Sequence, residues 1–138
     1  GQARRIGNNF HQVVTCSGMC LFVYWAYPSP DPVAEFMRAV TGWEVTIEEL
    51  LKTGERITNI RHAFNIREGL NPLNWKIPDR VLGRPPQREG PLAGITVDDD
   101  IMVKEYLAVM DWDLETAKPS KRKLLELGLD DVAKDLWS

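Results

Sequence analysis

The sequence lacks several features that would assign it to a common class. It has two cysteines and two histidines in 138 residues, and no Asn-x-Ser/Thr acceptor site occurs. The disulfide framework of a small secreted domain needs more cysteines, so we expect a reducing, cytoplasmic environment. The longest apolar run, residues 19–27, is shorter than the roughly 20 residues that cross a bilayer, and we expect it to be buried core rather than a membrane segment.

No excess of positive charge marks the chain either. The formal net charge is -3 at pH 7, and the sequence pI is about 5.4. Nucleic-acid-binding domains usually present a basic patch, whereas here the lysines and arginines are scattered among acidic residues. The charge pattern therefore predicts no nucleic-acid partner.

Helix signals separated by proline and glycine dominate what is present. They predict an all-α fold with multihelical orthogonal packing, a long irregular connection over residues 70–94 and no substantial sheet. Asp31 and Gly42 bound one predicted helix, and Thr46 with Glu49 forms a capping box for a long one. A third helix is predicted from Thr96, and two short ones follow at 119–128 and 130–137. Residues 10–27 lack these signals, which favours a strand or a loop followed by a buried segment.

The long helix carries polar residues beside its apolar stripe. Ile57, Ile60 and Phe64 recur at helical spacing, and Ile101 and Met102 are predicted to be buried in the same way on the third helix. The polar residues between 55 and 67 fit two arrangements: a solvated face, or a helix packed on most sides whose arginines and asparagines hold neighbouring loops. Gly54 in mid-helix predicts that another backbone passes close by.

Both cysteines lie in one short segment. A thiolate is a good ligand for zinc or iron, so Cys16 and Cys20 are candidates for metal or cluster binding. A free cysteine next to an apolar run is also a common small core residue. A third alternative is a zinc site made by His11, Cys16, Cys20 and His62.

A set of motifs along most of the chain resembles one known family. They are Cys-Ser-Gly-Met-Cys-Leu-Phe (16–22), Ala-Val-Thr-Gly-Trp (39–43), Gly-Glu-Arg-Ile (54–57), Ala-Phe-Asn-Ile-Arg-Glu-Gly (63–69), Tyr106 and Leu-Leu-Glu-Leu-Gly-Leu (124–129). Together they resemble the C-terminal domain of tungsten-containing aldehyde:ferredoxin oxidoreductases. The resemblance implies a single helical domain over residues 1–138 of a longer enzyme, with 1–30 near the cofactors and 31–138 as the helical body.

The resemblance also implies cofactors and site residues. Members oxidise aldehydes to carboxylic acids at a tungsten held by two pterins, and pass electrons through a 4Fe-4S cluster to ferredoxin. The family motif Asp-x-x-Gly-Leu-Cys matches residues 15–20 here. It implies that Cys20 is a cluster ligand and that Thr15, Gly18 and Met19 lie beside a pterin. Thr15 replaces the family's aspartate, and its hydroxyl carries no charge and accepts fewer hydrogen bonds.

Only one of four cluster ligands would come from this chain. We therefore expect the isolated domain to bind neither cluster nor tungstopterin and to be inactive, with the preceding domains of the same polypeptide, ferredoxin and an aldehyde as partners. An alternative is a cofactor-free helical module of the same fold that has an interaction or structural role.

Overall fold

The computed structural model describes residues 1–27 and 29–138, apart from the side chains of Val23 and Tyr24. Part of the predicted buried run 19–27 thus lies outside the described residues. Seven α-helices occur in the described part of the chain: α1 (Gln2–Cys16), α2 (Leu21–Trp25), α3 (Asp31–Thr41), α4 (Ile47–Arg67), α5 (Asp99–Met110), α6 (Lys121–Glu126) and α7 (Asp130–Leu136).

Helix α1 corrects the prediction for the N-terminal segment. Residues 10–16 are helical, where a strand or loop was predicted. Phe10, Val13 and Val14 are buried at the i, i+3, i+4 spacing of a helix face. The helix has no side-chain cap at its N-terminus and no acidic residue in its first turn. Its start therefore carries none of the usual sequence signals, and its stability comes from packing.

Helix α4 packs against α1 and extends along the domain. The capping box is present: the Thr46 hydroxyl accepts from the Glu49 amide at 3.2 Å, and the Glu49 carboxylate accepts from the Thr46 amide at 2.8 Å. The helix ends two residues before Gly69, which adopts the predicted left-handed conformation with φ of 81°. Gly54 is buried against the backbone of Asn9, as its position in mid-helix predicted.

Part of the polar face of α4 is buried. Glu55, Thr58 and Asn59 are buried, as the packed arrangement predicts, whereas Arg61 and Arg67 are exposed. By contrast, Ile60 and Phe64 of the predicted apolar stripe are 41% and 55% exposed. The buried face of α4 therefore includes more of its polar residues, and less of its apolar stripe, than the apolar spacing predicts.

Helix α5 also differs from its prediction. It begins at Asp99 with Asp98 as cap, three residues later than predicted. Of the residues predicted to form its buried side, Met110 is buried but Ile101 and Met102 are exposed, and Leu107, which was not predicted, is buried as well. Only the C-terminal half of α5 therefore contributes to the core.

Three groups of buried apolar residues form the core of the described part of the chain. The first joins α1, α3 and the start of α4; the second lies at the end of α5 and in the following turn; the third joins α6 and α7. They are Phe10, Val13, Val14, Val33, Ala34 and Leu50; Leu107, Met110, Trp112 and Ala117; and Leu124, Leu127, Leu129 and Ala133.

The remaining elements agree with the all-α prediction. The connection 70–94 is irregular apart from one 3-10 turn, Pro72–Asn74. The described residues contain no strand, only the isolated bridges Gln87–Ala93 and Trp112–Pro119. Helix α6 begins at Lys121 with Ser120 as its cap, two residues later than the predicted start at Pro119. None of the described helices combines the length and apolar character that a bilayer crossing requires.

Candidate functional site

The segment that carries Cys20 is shaped by the C-terminus of α1. The Met19 amide donates to the Val14 carbonyl at 3.2 Å and the Gly18 amide donates to the Thr15 carbonyl at 3.3 Å. Gly18 has a left-handed φ of 75°. These two bonds define a Schellman motif, in which the residue after the glycine usually makes an apolar contact with the helix. Met19 does so here, packing against the first core group.

The same geometry leaves the next residue outside the core. Cys20 is exposed and non-helical, between the end of α1 and the start of α2. Cys16 in the last turn of α1 is exposed as well. The interpretation of either cysteine as a small core residue is therefore wrong. Thr15 is also exposed, so its hydroxyl is accessible from outside the domain.

Aromatic side chains next to Cys20 are exposed. Phe22 is 73% and Trp25 64% exposed, and their rings meet edge to face with centroids 5.5 Å apart. The prediction that the run after Cys20 is buried core fails at these two residues. Exposed apolar side chains that contact one another often mark a surface that binds another polypeptide.

The four-ligand zinc site is not formed. The described residues contain no group of three or more His, Cys, Asp or Glu side chains placed to hold one metal ion. His62 lies in α4, where its ring stacks on Trp112 with centroids 3.6 Å apart. Its Nε2 lies 2.7 Å from the Ala117 carbonyl. Burial lowers the pKa of His62 below 6.5, and the bond to Ala117 opposes this.

His62 is one member of a buried polar and aromatic cluster that the sequence did not reveal. Asn59 is fully buried; its amide donates to the Glu55 carbonyl and its oxygen accepts from Trp112 Nε1, both at 2.9 Å. The Tyr106 ring meets Trp112 edge to face. The only signal in the sequence was an asparagine beside an apolar stripe. The Trp112 partner comes from the turn after α5, so spacing within α4 could not identify it.

A second buried polar group joins α1, α4 and α6. Glu55 Oε1 makes no hydrogen bond among the described residues, but it lies 3.6 Å from Arg5 Nη1 and 3.5 Å from Lys123 Nζ. Lys123 is buried and also pairs with Glu126 at 3.2 Å. The carboxylate is thus compensated by two cations, as a buried charge requires. Both polar groups hold helices together and lie away from Cys20 along the chain.

Two arginines of α4 contact the C-terminal part of the chain. Arg56 Nε donates to the Leu127 carbonyl at 2.8 Å. Arg67 pairs with Asp135 of α7 at 3.1 Å. These contacts connect α4 to the last two helices, so this part of the family-like motif has a structural role.

Comparison with known proteins agrees with the resemblance. The family model described as aldehyde ferredoxin oxidoreductase, domains 2 and 3, matches residues 2–129. The tungsten-containing aldehyde ferredoxin oxidoreductase of Pyrococcus furiosus is 36% identical over 118 residues, which is 85% of this chain and 19% of that relative. The proteins of the same name from Pyrococcus abyssi and Thermococcus kodakarensis are 34% and 32% identical, over 86% and 85% of this chain.

The matched region spans 19% of the length of these relatives. No solved structure matches the chain significantly. The family match covers far more than half of the chain and includes the segment around Cys20. The chain therefore belongs to the aldehyde ferredoxin oxidoreductase family.

Proposed function

We propose that this chain is the C-terminal domain of a tungsten or molybdenum pterin oxidoreductase that converts aldehydes to carboxylic acids, and that Cys20 supplies one ligand to a 4Fe-4S cluster. The observation that carries the proposal is the exposed Cys20 thiol, held outside the core by the Schellman motif at the end of α1. A cysteine at a family ligand position has to be accessible if iron is to reach it. Cys20 meets that condition.

The donor set of the chain fits one part of such a site. A cysteine thiolate is the usual protein ligand of iron–sulfur clusters, and four are needed for a 4Fe-4S cluster. The described residues gather no three candidate ligands in one place. The other ligands must therefore come from elsewhere in a longer polypeptide. When bound, the cluster would carry electrons singly between the pterin-bound metal and ferredoxin.

The residues before Cys20 have supporting roles in this proposal. Gly18 allows the chain to turn out of α1, and Met19 fixes the turn by packing on the core. The exposed Thr15 hydroxyl is available to hydrogen-bond a pterin edge. Because this hydroxyl is neutral, it would bind the pterin more weakly than the carboxylate of the family motif.

The exposed aromatic residues mark the side on which the rest of the polypeptide would bind. Phe22 and Trp25 follow Cys20 directly, and Trp43 beyond α3 is 62% exposed. Covering Phe22 and Trp25 would bury apolar area and keep water away from the thiolate, which helps to set the potential of a cluster. We assign no acid–base residue to this chain and expect those groups in the preceding domains.

The decisive experiment compares two cysteines that lie four positions apart. In the full-length protein that contains this chain, we expect Cys20→Ser to reduce iron content and cluster absorbance and to abolish aldehyde oxidation with ferredoxin or a dye as acceptor. Cys16→Ser is the matched control, because Cys16 is also exposed but stands at a position where the family motif specifies no residue. It should leave all three readouts unchanged.

The opposite result would favour the alternative, a cofactor-free helical module. The cofactor-free module predicts that Cys20→Ser leaves cluster content and turnover unchanged. The isolated chain offers an independent test. Incubation with iron and sulfide under reducing conditions should give no stable brown cluster, because one ligand of four is present. A stable cluster on this chain alone would contradict the proposed division of ligands.

A further inference from the structure

A cleft lies at the opposite end of α1 from Cys20. It has a volume of about 530 Å³ between the first turns of α1, the exposed side of α5 and the connection before α5. Small-molecule sites typically have volumes of several hundred Å³ and apolar walls with a few polar groups. The walls of this cleft are apolar and formed by Ile77, Val81, Leu82, Val97, Met102 and Val103. These residues include the side of α5 that was predicted to be core.

The wall formed by the connection is held in place by hydrogen bonds. The Val97 amide donates to the Leu82 carbonyl at 2.9 Å. Arg84 donates to the Val97 carbonyl at 3.1 Å and pairs with Asp99 at 3.0 Å. Leu82 itself is buried. The cleft is therefore preformed and does not need a ligand to order its wall.

Tyr106 places a hydrogen-bond donor in the cleft. Asn8 Nδ2 donates to the Tyr106 hydroxyl and to the Thr58 hydroxyl, each at 3.2 Å. Since the Tyr106 oxygen accepts from Asn8, its own hydrogen is directed elsewhere, and no described residue accepts it. Burial raises the pKa of Tyr106, so the phenol stays protonated at neutral pH.

Arg4 supplies positive charge near the same hydroxyl. It lines the cleft and makes no hydrogen bond or ion pair with any described residue, whereas Arg5 next to it pairs with Glu55. Arg4 and Tyr106 line the same cleft, and the Arg4 charge opposes the effect of burial on the pKa of Tyr106. A guanidinium and a phenol hydroxyl together donate the hydrogen bonds that the two oxygens of a carboxylate accept.

The charged residues at the cleft favour a singly charged anion over a doubly charged one. Asp99 also lines it, and although Arg84 pairs with this carboxylate, the pair adds no net positive charge. A doubly charged phosphate would face one free guanidinium and a nearby carboxylate. A singly charged group is better matched to this field.

We propose that this cleft binds a monocarboxylate with an apolar chain. The carboxylate accepts hydrogen bonds from Arg4 and Tyr106, and the chain lies against Val81, Met102 and Val103. Asn8 is a positioning residue that orients the Tyr106 hydroxyl. The proposal does not depend on the cluster, because none of these residues belongs to the Cys20 segment.

The test is calorimetric titration of the 138-residue protein with octanoate, octan-1-ol and octylammonium. We expect saturable binding of octanoate, with octan-1-ol at least about tenfold weaker, because a charge-assisted hydrogen bond is worth more than 1 kcal/mol. Octylammonium should not bind, because its charge is repelled by Arg4. Amide shifts in an NMR titration should change at Asn8, Met102 and Tyr106.

Two variants and a control test the roles of the polar groups. Arg4→Gln and Tyr106→Phe should each weaken octanoate binding about tenfold. Both should retain the parent far-UV circular dichroism, since Arg4 is exposed and Phe keeps the ring that packs on Trp112. Arg88→Gln removes an exposed arginine from the same connection, away from the cleft lining, and should bind octanoate normally.

Four outcomes would overturn the proposal. The first is no saturation by octanoate at millimolar concentration. The second is equal binding of octanoate and octan-1-ol. The third is normal octanoate binding in both folded variants. The fourth is a concentration-dependent dimer that Met102→Glu disperses, which would identify a second copy of the chain as the occupant of the cleft.

Discussion

The backbone of Gly54 in α4 lies directly against the backbone carbonyl of Asn9 in α1. A Cβ atom at position 54 would overlap the Asn9 oxygen, and neither backbone can move without separating the two helices. This contact brings Glu55, Thr58 and Asn59 into the buried interface. The packing of α4 against α1 therefore depends on one hydrogen atom in place of a side chain.

Gly54→Ala should destabilise the protein by about 2 kcal/mol, because the overlap with α1 outweighs the gain in helix propensity. Urea unfolding followed by circular dichroism measures the change. Gly7→Ala is the matched control: Gly7 is exposed in α1, with nothing near an added Cβ. It should stabilise the protein by up to about 1 kcal/mol. Equal effects of the two substitutions would contradict the close contact.

Asn59→Leu should cost about 2 kcal/mol, because it leaves the buried Trp112 Nε1–H without its acceptor. Trp112→Phe removes the donor and also leaves a cavity beside His62. In the double variant no unpaired partner remains, so its loss of stability should be smaller than the sum of the two single losses. Strict additivity in a double-mutant cycle would show that the bond contributes nothing.

Acid should destabilise the fold through His62. Its pKa in the folded protein is lowered from 6.5 by burial, so between the folded and unfolded pKa values the unfolded chain binds more protons. Stability is therefore complete above the unfolded value and decreases as the pH falls through 6.5 toward the folded pKa.

Urea unfolding at pH ~7.5 and ~5 measures this dependence. His62→Phe keeps a ring that can stack on Trp112 and should reduce the loss of stability in acid, whatever its effect at neutral pH. His11→Gln is the control, because His11 is exposed on α1 and should leave the pH dependence unchanged. A wild-type pH dependence in His62→Phe would assign the effect to other groups.

Thr46→Ala should reduce stability by about 1 kcal/mol, because it removes the acceptor for the Glu49 amide at the start of α4. Thr53→Ala changes an exposed threonine in the same helix that caps nothing, and should be neutral or slightly stabilising. Thermal or urea unfolding of both variants distinguishes the cap from the general effect of losing a threonine. A neutral Thr46→Ala would contradict the capping box.

Local chemistry explains which predictions were confirmed. The capping box at Thr46, the left-handed Gly42 and Gly69, and the irregular connection follow from residues that act on their immediate neighbours. The start of α1 was missed because it has no capping side chain. Apolar spacing was least reliable where a helix is only partly covered, as at Ile60, Phe64, Ile101 and Met102, which are exposed.

The same contrast between local interactions and long-range packing applies to the candidate sites. The motif around Cys20 is contiguous, so the sequence alone was sufficient to select Thr15, Gly18, Met19 and Cys20 and the family to which the chain belongs. Their assignment to pterin and cluster remains a prediction. The exposure of Cys20 could not be predicted, because it depends on how the end of α1 packs.

The sequence by itself determined the all-α class, the helix caps and the family, since these depend on short segments whose residues interact with near neighbours. Only the tertiary structure decided which helix faces are buried, that part of the polar side of α4 is internal, and that Arg4, Asn8 and Tyr106 meet at one cleft. Burial and convergence depend on contacts between residues far apart in the chain. Such contacts have no sequence period and form only when the helices pack.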